Sequence, residues 1–284
     1  MGNRQKYKKY FCNFIMMNGL QLRNYIYKTL FKFDKLIGRK ADFVIICYHS
    51  INNDSSWRHS ISTQNFEQQI RYLKDNYEII NPENFDHELN THSGKPKVLI
   101  TFDDGYKDNL NAMHILNAHN AKALLFILSG NSNEVSRSEM QNDLDILNDN
   151  EIIDLLNNGW VLGSHGKTHK NLTLLTDEEL KSEITDSKET IQNKYSVSVK
   201  YFSYPKGNYT QQIADDINSA GYDYAFSMDD SRKFNYAFAL PRVGIDSSHD
   251  IELFKATISP SVIQFRSLIK NILPKKFIGL NGAG

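Results

Sequence analysis

The 284-residue chain is poor in the features that mark whole classes of protein. Its two cysteines, Cys12 and Cys47, make no disulfide framework, and Cys47 lies in an apolar strand-like run where it reads as a small buried hydrophobe. Six prolines and fifteen glycines are too few for a low-complexity chain. No apolar run approaches the roughly 18–20 residues of a membrane span. The run Phe14-Ile15-Met16-Met17 is too short for the core of a signal peptide, and no small-residue cleavage site follows it. The expected location is therefore the cytoplasm, or the cytoplasmic face of a membrane. Net charge is missing too, since 33 Lys and Arg balance 33 Asp and Glu. No nucleic-acid recognition motif is present, so no nucleic-acid partner is expected.

The charge is unevenly spread. Residues 1–40 hold ten basic residues against one acid, Asp34. Leu20, Leu22, Tyr25, Ile26, Leu30, Phe31, Phe33 and Leu36 interleave with lysines there, the pattern of a basic amphipathic helix. Phe265, Leu268, Ile269, Ile272, Leu273, Lys275, Lys276 and Phe277 repeat that character near the other end. Such helices lie on an anionic membrane surface or pack on the flank of their own domain, and the pattern leaves both open. The expected organisation is a basic amphipathic extension (1–40), one catalytic domain (41–259) and a basic amphipathic tail (260–284).

Between these ends, apolar strand-like runs alternate with helical periodicity. Strands are expected at Phe43–Tyr48, Tyr77–Ile80, Val98–Phe102, Ala123–Leu128, Trp160–Ser164, Val199–Tyr204, Tyr224–Ser227 and Ala237–Ile245. Ser62 or Thr63 can cap a helix carrying Phe66, Ile70 and Leu73, and Thr176 with Glu179 has capping-box spacing before a charged helix reaching about Lys194. This βαβα rhythm predicts an α/β domain with a parallel, barrel-like sheet.

Two stretches carry chemistry. In Thr101-Phe102-Asp103-Asp104-Gly105 a buried strand ends in two carboxylates, and Gly105 permits a sharp turn that brings both to one pocket. In Ser164-His165-Gly166-Lys167-Thr168-His169 the histidines are four apart and would share one face of a helical turn. With a carboxylate from another strand they make a two-histidine, one-carboxylate metal set. A zinc protease of the His-Glu-x-x-His type is excluded, because Gly166 stands where its glutamate base belongs. A non-haem iron oxygenase uses the same ligand types but leaves Asp103 idle.

Together these stretches resemble the polysaccharide deacetylase family, the NodB-homology enzymes of carbohydrate esterase family 4. Its first motif is Thr-Phe-Asp-Asp-Gly and its second His-[Ser/Thr]-x-x-His, here with Gly166 at the variable place. The resemblance implies a distorted (β/α) barrel of about seven parallel strands. It implies Asp104, His165 and His169 as ligands of a divalent cation, zinc first, with cobalt, nickel or iron as alternatives. Asp103 then matches the catalytic base.

The third family motif, Arg-x-Pro-[Tyr/Phe], is altered to Ser203-Tyr204-Pro205-Lys206. The backbone N–H of Lys206 can still serve an oxyanion, and Arg242 is the candidate for the missing arginine. Ile46-Cys47-Tyr48-His49 matches the family's Leu-x-x-His at the opposite end of the domain, an order similar to the permuted poly-N-acetylglucosamine deacetylases. His49 is thereby the expected general acid, with His249 as the alternative. Tyr106, Tyr204, Pro205 and Lys206 are the expected substrate contacts, while Trp57 and Tyr209 lie in neighbouring loops. The implied activity is removal of N-acetyl groups from a polysaccharide or glycoconjugate. An O-acetyl esterase and a catalytically silent glycan-binding protein are the alternatives.

Overall fold

Phe43-Val-Ile-Ile-Cys-Tyr48 is short, β-branched and apolar at nearly every position, which suits a strand buried on both faces rather than one with a wet side. In the computed structural model, which describes residues 18–91, 94–130, 140–141, 143–228 and 236–272, it forms β1 (Phe43–Tyr48) behind helix α1 (Gly19–Leu36). A small parallel pair follows, β2 (Ser50–Ile51) with β3 (Ser60–Ile61). Helix α2 (Thr63–Asn76) starts at Ser62, whose hydroxyl accepts from the Asn65 N–H, and it buries Phe66, Gln69, Ile70 and Leu73.

Strand β4 (Glu78–Ile79) and helix α3 (Phe85–Asn90) lead to β5 (Lys97–Phe102). Then come α4 (Asn109–Ala118), β6 (Leu124–Ile127), α5 (Asp149–Asn157) and β7 (Val161–Ser164). Next are α6 (Asp177–Lys181), a π-helical turn (Ser182–Asp186), α7 (Ser187–Tyr195), β8 (Tyr201–Ser203), α8 (Gln211–Ser219) and β9 (Tyr224–Ser227). The chain ends its described part with β10 (Leu240–Pro241), β11 (Val243–Gly244), α9 (Ile251–Thr257) and α10 (Pro260–Ile272).

Every pairing in the main sheet is parallel, in the order β10-β9-β8-β7-β6-β5-β1-β11, with β4 added beside the start of β5. β10 and β11 are consecutive, with only Arg242 between them. One stretch, 240–244, therefore pairs with β9 at its first half and with β1 at its second, and the eight-strand path returns on itself as a nearly closed barrel. The expected single strand at Ala237–Ile245 is split because Ala237–Ala239 forms a 3₁₀ turn and the remainder changes partner at Arg242.

Alternation sorts the strand residues into two layers. Val44, Ile46, Tyr48, Val98, Ile100, Phe102 and Phe202 pack outward under the helices. Ile45, Leu99, Leu124, Phe126, Tyr201, Phe226 and Leu240 fill the barrel. Phe85, from α3, packs among the inner aromatics, with ring centroids 5.1–6.0 Å from Phe43, Tyr201, Tyr224 and Phe226. Continuing the inward file past Leu99 gives Thr101 and Asp103, past Ile45 gives Cys47, past Tyr201 gives Ser203, and past Leu240 gives Arg242. Parity alone thus sends a polar layer into the C-terminal mouth, where active sites of α/β barrels are built.

Helix α1 packs one face against α9 and α10 through Tyr27, Leu253, Ala256 and Val262. Asp34, the lone acid of the basic segment, is buried and accepts from the Ser261 N–H at 2.9 Å and the Ser261 hydroxyl at 2.6 Å. Tyr25, Phe33 and Leu36 face outward. No described helix is long and apolar enough to cross a membrane. Cys12, the Phe14–Met17 run and the tail from Leu273 lie outside the described residues.

Gly163 in β7 lets strand and barrel interior meet: a Cβ there would lie 2.5 Å from Phe126 Cδ1 and 2.9 Å from the Tyr201 carbonyl oxygen. Gly163→Ala is expected to cost about 1–3 kcal/mol through overpacking. Urea unfolding checks it, and unchanged stability would contradict the packing described.

Candidate active site

Strand β5 ends at Phe102, and the backbone N–H of Asp103 still donates to the Tyr48 carbonyl at 3.0 Å, so Asp103 keeps its inward direction. Asp104 then takes φ +73° and Gly105 φ +72°. The turn expected at Gly105 begins one residue earlier, on an aspartate, a residue that tolerates the left-handed region better than most. It folds the Asp104 carboxylate back beside Asp103, and the two are 4% and 3% exposed.

The histidines do not share a helical turn, contrary to the sequence expectation. Residues 165–169 form a loop after β7, with Gly166 at φ +83° and His169 at φ +65°. Helix is precluded because side chains take the backbone donors. Gly166 N–H donates to Ser164 Oγ at 3.1 Å, and the N–H groups of Lys167 and Thr168 donate to Glu183 Oε2 at 2.6 and 3.0 Å. The loop nonetheless brings His165 Nε2 and His169 Nε2 to 3.4 and 3.3 Å from Asp104 Oδ1. His165 Nδ1–H donates to the Ser203 carbonyl at 2.8 Å, which turns Nε2 towards Asp104.

One ligand atom from each of Asp104, His165 and His169 lies within 4.8 Å of the others. Asp104 Oδ1 and His169 Nδ1 are buried without a hydrogen-bond partner among the described residues. A carboxylate oxygen left without a donor between two imidazole nitrogens is the donor set a divalent cation satisfies.

Asp103 faces the other way, into the closing stretch of the barrel. Arg242 grips it with two bonds, Nη1 to Oδ1 at 2.7 Å and Nη2 to Oδ2 at 2.6 Å, and also reaches Ser203 Oγ at 2.8 Å and Thr101 Oγ1 at 3.2 Å. Ser203 Oγ donates to Asp103 Oδ2 at 3.3 Å, and the Cys47 thiol approaches the same oxygen at 3.5 Å. Arg242 thus lies against Asp103 and Ser203 alike, with Ser203 bridging the pair.

Burial alone would raise the Asp103 pKa, but the Arg242 guanidinium outweighs it and holds the carboxyl at about 2. For Asp104 burial is again outweighed, by His169, His165 and His49, and the pKa falls. Burial lowers His169 to about 4, against the pull of Asp104, whereas at His165 the two carboxylates overcome burial and raise it. Burial also pushes the Cys47 thiol well up, so it stays protonated.

His49, at the end of β1, offers a ring nitrogen within 4.8 Å of Cys47 Sγ and an Asp103 oxygen. Its Nδ1 is buried with no hydrogen-bond partner among the described residues. Trp57 and His59 pack on it, at ring centroids of 5.8 and 5.0 Å. His249 instead pairs through Nδ1 with Asp246 Oδ1 at 2.8 Å, while Arg58 holds the other Asp246 oxygen at 2.9 Å.

Tyr106 and Tyr204, both expected substrate contacts, are buried, so neither offers an open ring face for stacking on a sugar. Tyr106 accepts from the Gln141 N–H and packs against Trp57; Tyr204 donates to the Phe238 carbonyl at 2.7 Å and stacks on Tyr209. Pro205 is buried in the turn, and Lys206 sits at φ +59°, its charge close enough to depress His169. Trp57, which the sequence left unassigned, is half-buried over His49 and Tyr106. Glu183 was not singled out at all, since it stands in a helix among other acids. A cavity of about 430 Å³ opens beside Asp104, lined among others by Lys107, Ser129, Asp145, Asp149 and Lys194.

The fold and the site define a parallel (β/α) barrel carrying, at the carboxyl ends of its strands, a two-histidine, one-aspartate group that fits a divalent metal. The polysaccharide deacetylase family model matches residues 90–225. YxkH of Bacillus subtilis is 30% identical over 192 residues, 65% of this chain and 63% of that protein, so the chain spans less than two thirds of this relative. The peptidoglycan-N-acetylglucosamine deacetylase of Bacillus cereus is 26% identical over 115 residues, 40% of this chain and 37% of that one. Among solved structures, the deacetylase PplD of Streptococcus pyogenes, in complex with acetate, superposes with a TM-score of 0.67 at 23% identity, covering 78% of this chain and all of that one. The matched stretch is just under half of the chain, and over it the chain resembles the polysaccharide deacetylase family.

Replacing Arg242 by alanine leaves Asp103 buried beside no cation, at an expected cost of about 3–5 kcal/mol near neutral pH. With the guanidinium gone, burial raises the Asp103 pKa above its unfolded value of about 4. The variant's deficit then grows from about pH 2, where wild-type Asp103 ionises, up to the variant's raised pKa, and levels off above it. Denaturant unfolding from pH 3.5 to 8 reads the slope; a pH-independent deficit would contradict the pairing.

Proposed function

We propose that this protein is a metal-dependent deacetylase that hydrolyses N-acetyl groups on N-acetylhexosamine residues of a polysaccharide or glycoconjugate. The observation that carries this reading is the Asp104–His165–His169 group lying directly beside an ionised Asp103 locked to Arg242. The resemblance to polysaccharide deacetylases over residues 90–225 supports the reaction class, and the cavity beside Asp104 has the size of a small-ligand site.

Asp104, His165 and His169 would hold the cation, with zinc the first candidate for such a nitrogen and oxygen set. A divalent cation there supplies Lewis acidity, activating a water and polarising the acetyl oxygen. Asp103, kept ionised, accepts the proton of the attacking water. A carboxylate held at about 2 is a weak base and cannot keep that proton, so it must be passed on. His49, beside Asp103, delivers a proton to the departing amine, a task suited to imidazole. The backbone N–H of Lys206, at its left-handed turn, stabilises the oxyanion. Arg242 and Ser203 keep the Asp103 carboxylate in one orientation throughout.

The test is acetate release from N-acetylglucosamine oligomers after chelation and reloading with zinc, cobalt or nickel. Asp103→Asn and His165→Ala are each expected to lower the rate at least about 100-fold. Release only from an O-acetylated glycan would reassign the substrate. Stoichiometric metal without release from either would indicate a silent binder, and neither metal nor release would refute the reading.

A further inference from the structure

The loop that carries both histidines owes its shape to a residue outside every motif. Glu183 is 4% exposed and sits on the π-helical turn between α6 and α7. Its Oε2 accepts from the backbone N–H groups of Lys167 and Thr168, and its Oε1 from the Thr168 hydroxyl. Consecutive N–H groups pointed at one anion form a nest, and here the anion belongs to the chain itself.

The support beneath it is complete. The Ser187 hydroxyl donates to the carbonyls of Glu183 and Ile184, and the Tyr222 hydroxyl donates to Ile184 as well, so carbonyls in the widened turn are satisfied. Ser187 Oγ also lies 2.8 Å from Ser164 Oγ, which receives the Gly166 N–H. Three successive loop amides, at 166, 167 and 168, are therefore anchored to one polar post at the end of β7.

The same carboxylate accounts for the departure from the family motif at 166. A Cβ on Gly166 would lie 2.7 Å from Glu183 Oε2, at a φ of +83° that side-chain-bearing residues rarely adopt. The room a serine or threonine needs is taken by Glu183.

We propose that Glu183 is a positioning residue for the metal centre, setting the left-handed loop that aims His165 and His169 at Asp104 and requiring glycine at 166. This rests on the metal-centre reading above. Cobalt and zinc affinities by chelator competition, the visible spectrum of the cobalt-loaded protein, and the thermal midpoint of the metal-free protein decide it. Glu183→Ala is expected to lower affinity about 10–100-fold and to alter the cobalt spectrum. Glu183→Gln, which keeps one acceptor oxygen, is expected to recover part of the loss. Gly166→Ala is expected to weaken metal binding, and by less when Glu183 is already alanine. Folded Glu183→Ala or Glu183→Gln protein with wild-type affinity and spectrum would overturn the proposal, even if its apo stability dropped. If Glu183→Ala does not fold, Glu183→Gln decides by the same criteria. Wild-type protein that binds neither metal would overturn the metal-centre reading itself.

Discussion

The ion pair between Asp103 and Arg242 ties the barrel's closure to its chemistry. Arg242 is the single residue between β10 and β11, where one stretch leaves its pairing with β9 and takes up β1. Its guanidinium can reach Asp103 only if both edges of the sheet meet there. Buried charges are costly to strip of water, and this pair is tolerable because its geometry is bidentate and Ser203 and Thr101 accept further donors. The Phe126 ring, 5.4 Å below the guanidinium, floors the arrangement.

Around that pair the backbone is held in conformations it would not choose. Among the described residues five non-glycine positions have positive φ, and three of them, Asp104, His169 and Lys206, belong to the candidate site. Each is worth on the order of 1–2 kcal/mol of strain, offset by the regular structure behind it. The gain is direction. Left-handed turns at Asp104 and His169 bring the tips of two short side chains from different strands to within hydrogen-bond reach, which extended backbone leaving β5 and β7 does not provide.

Much of this was legible because it is local. Buried strands announce themselves as short β-branched runs, and Ser62 and Thr176 cap their helices through hydrogen bonds within three residues. The two motif stretches sit at strand ends where alternation stops and polar residues crowd. What escaped is what depends on distant segments. The spacing of His165 and His169 suggested a helical turn, but Glu183, fourteen or more residues away, takes the amides a helix would need. Tyr204 was expected to contact substrate, yet Phe238 and Tyr209 enclose it. The amphipathic face of α1 is partly used within the chain, because Tyr27 and Asp34 dock on α9 and α10.

From the order of residues alone came the parallel α/β rhythm, the inward file that ends in Asp103, and the kinds of ligand available, since strand parity and side-chain chemistry need no knowledge of neighbours. The family resemblance pointed Asp104 to the histidines and Asp103 to an arginine, but the physical cause of that division shows only in three dimensions. A single left-handed residue reverses a side chain's direction, and barrel closure makes neighbours of residues 139 positions apart, Asp103 and Arg242.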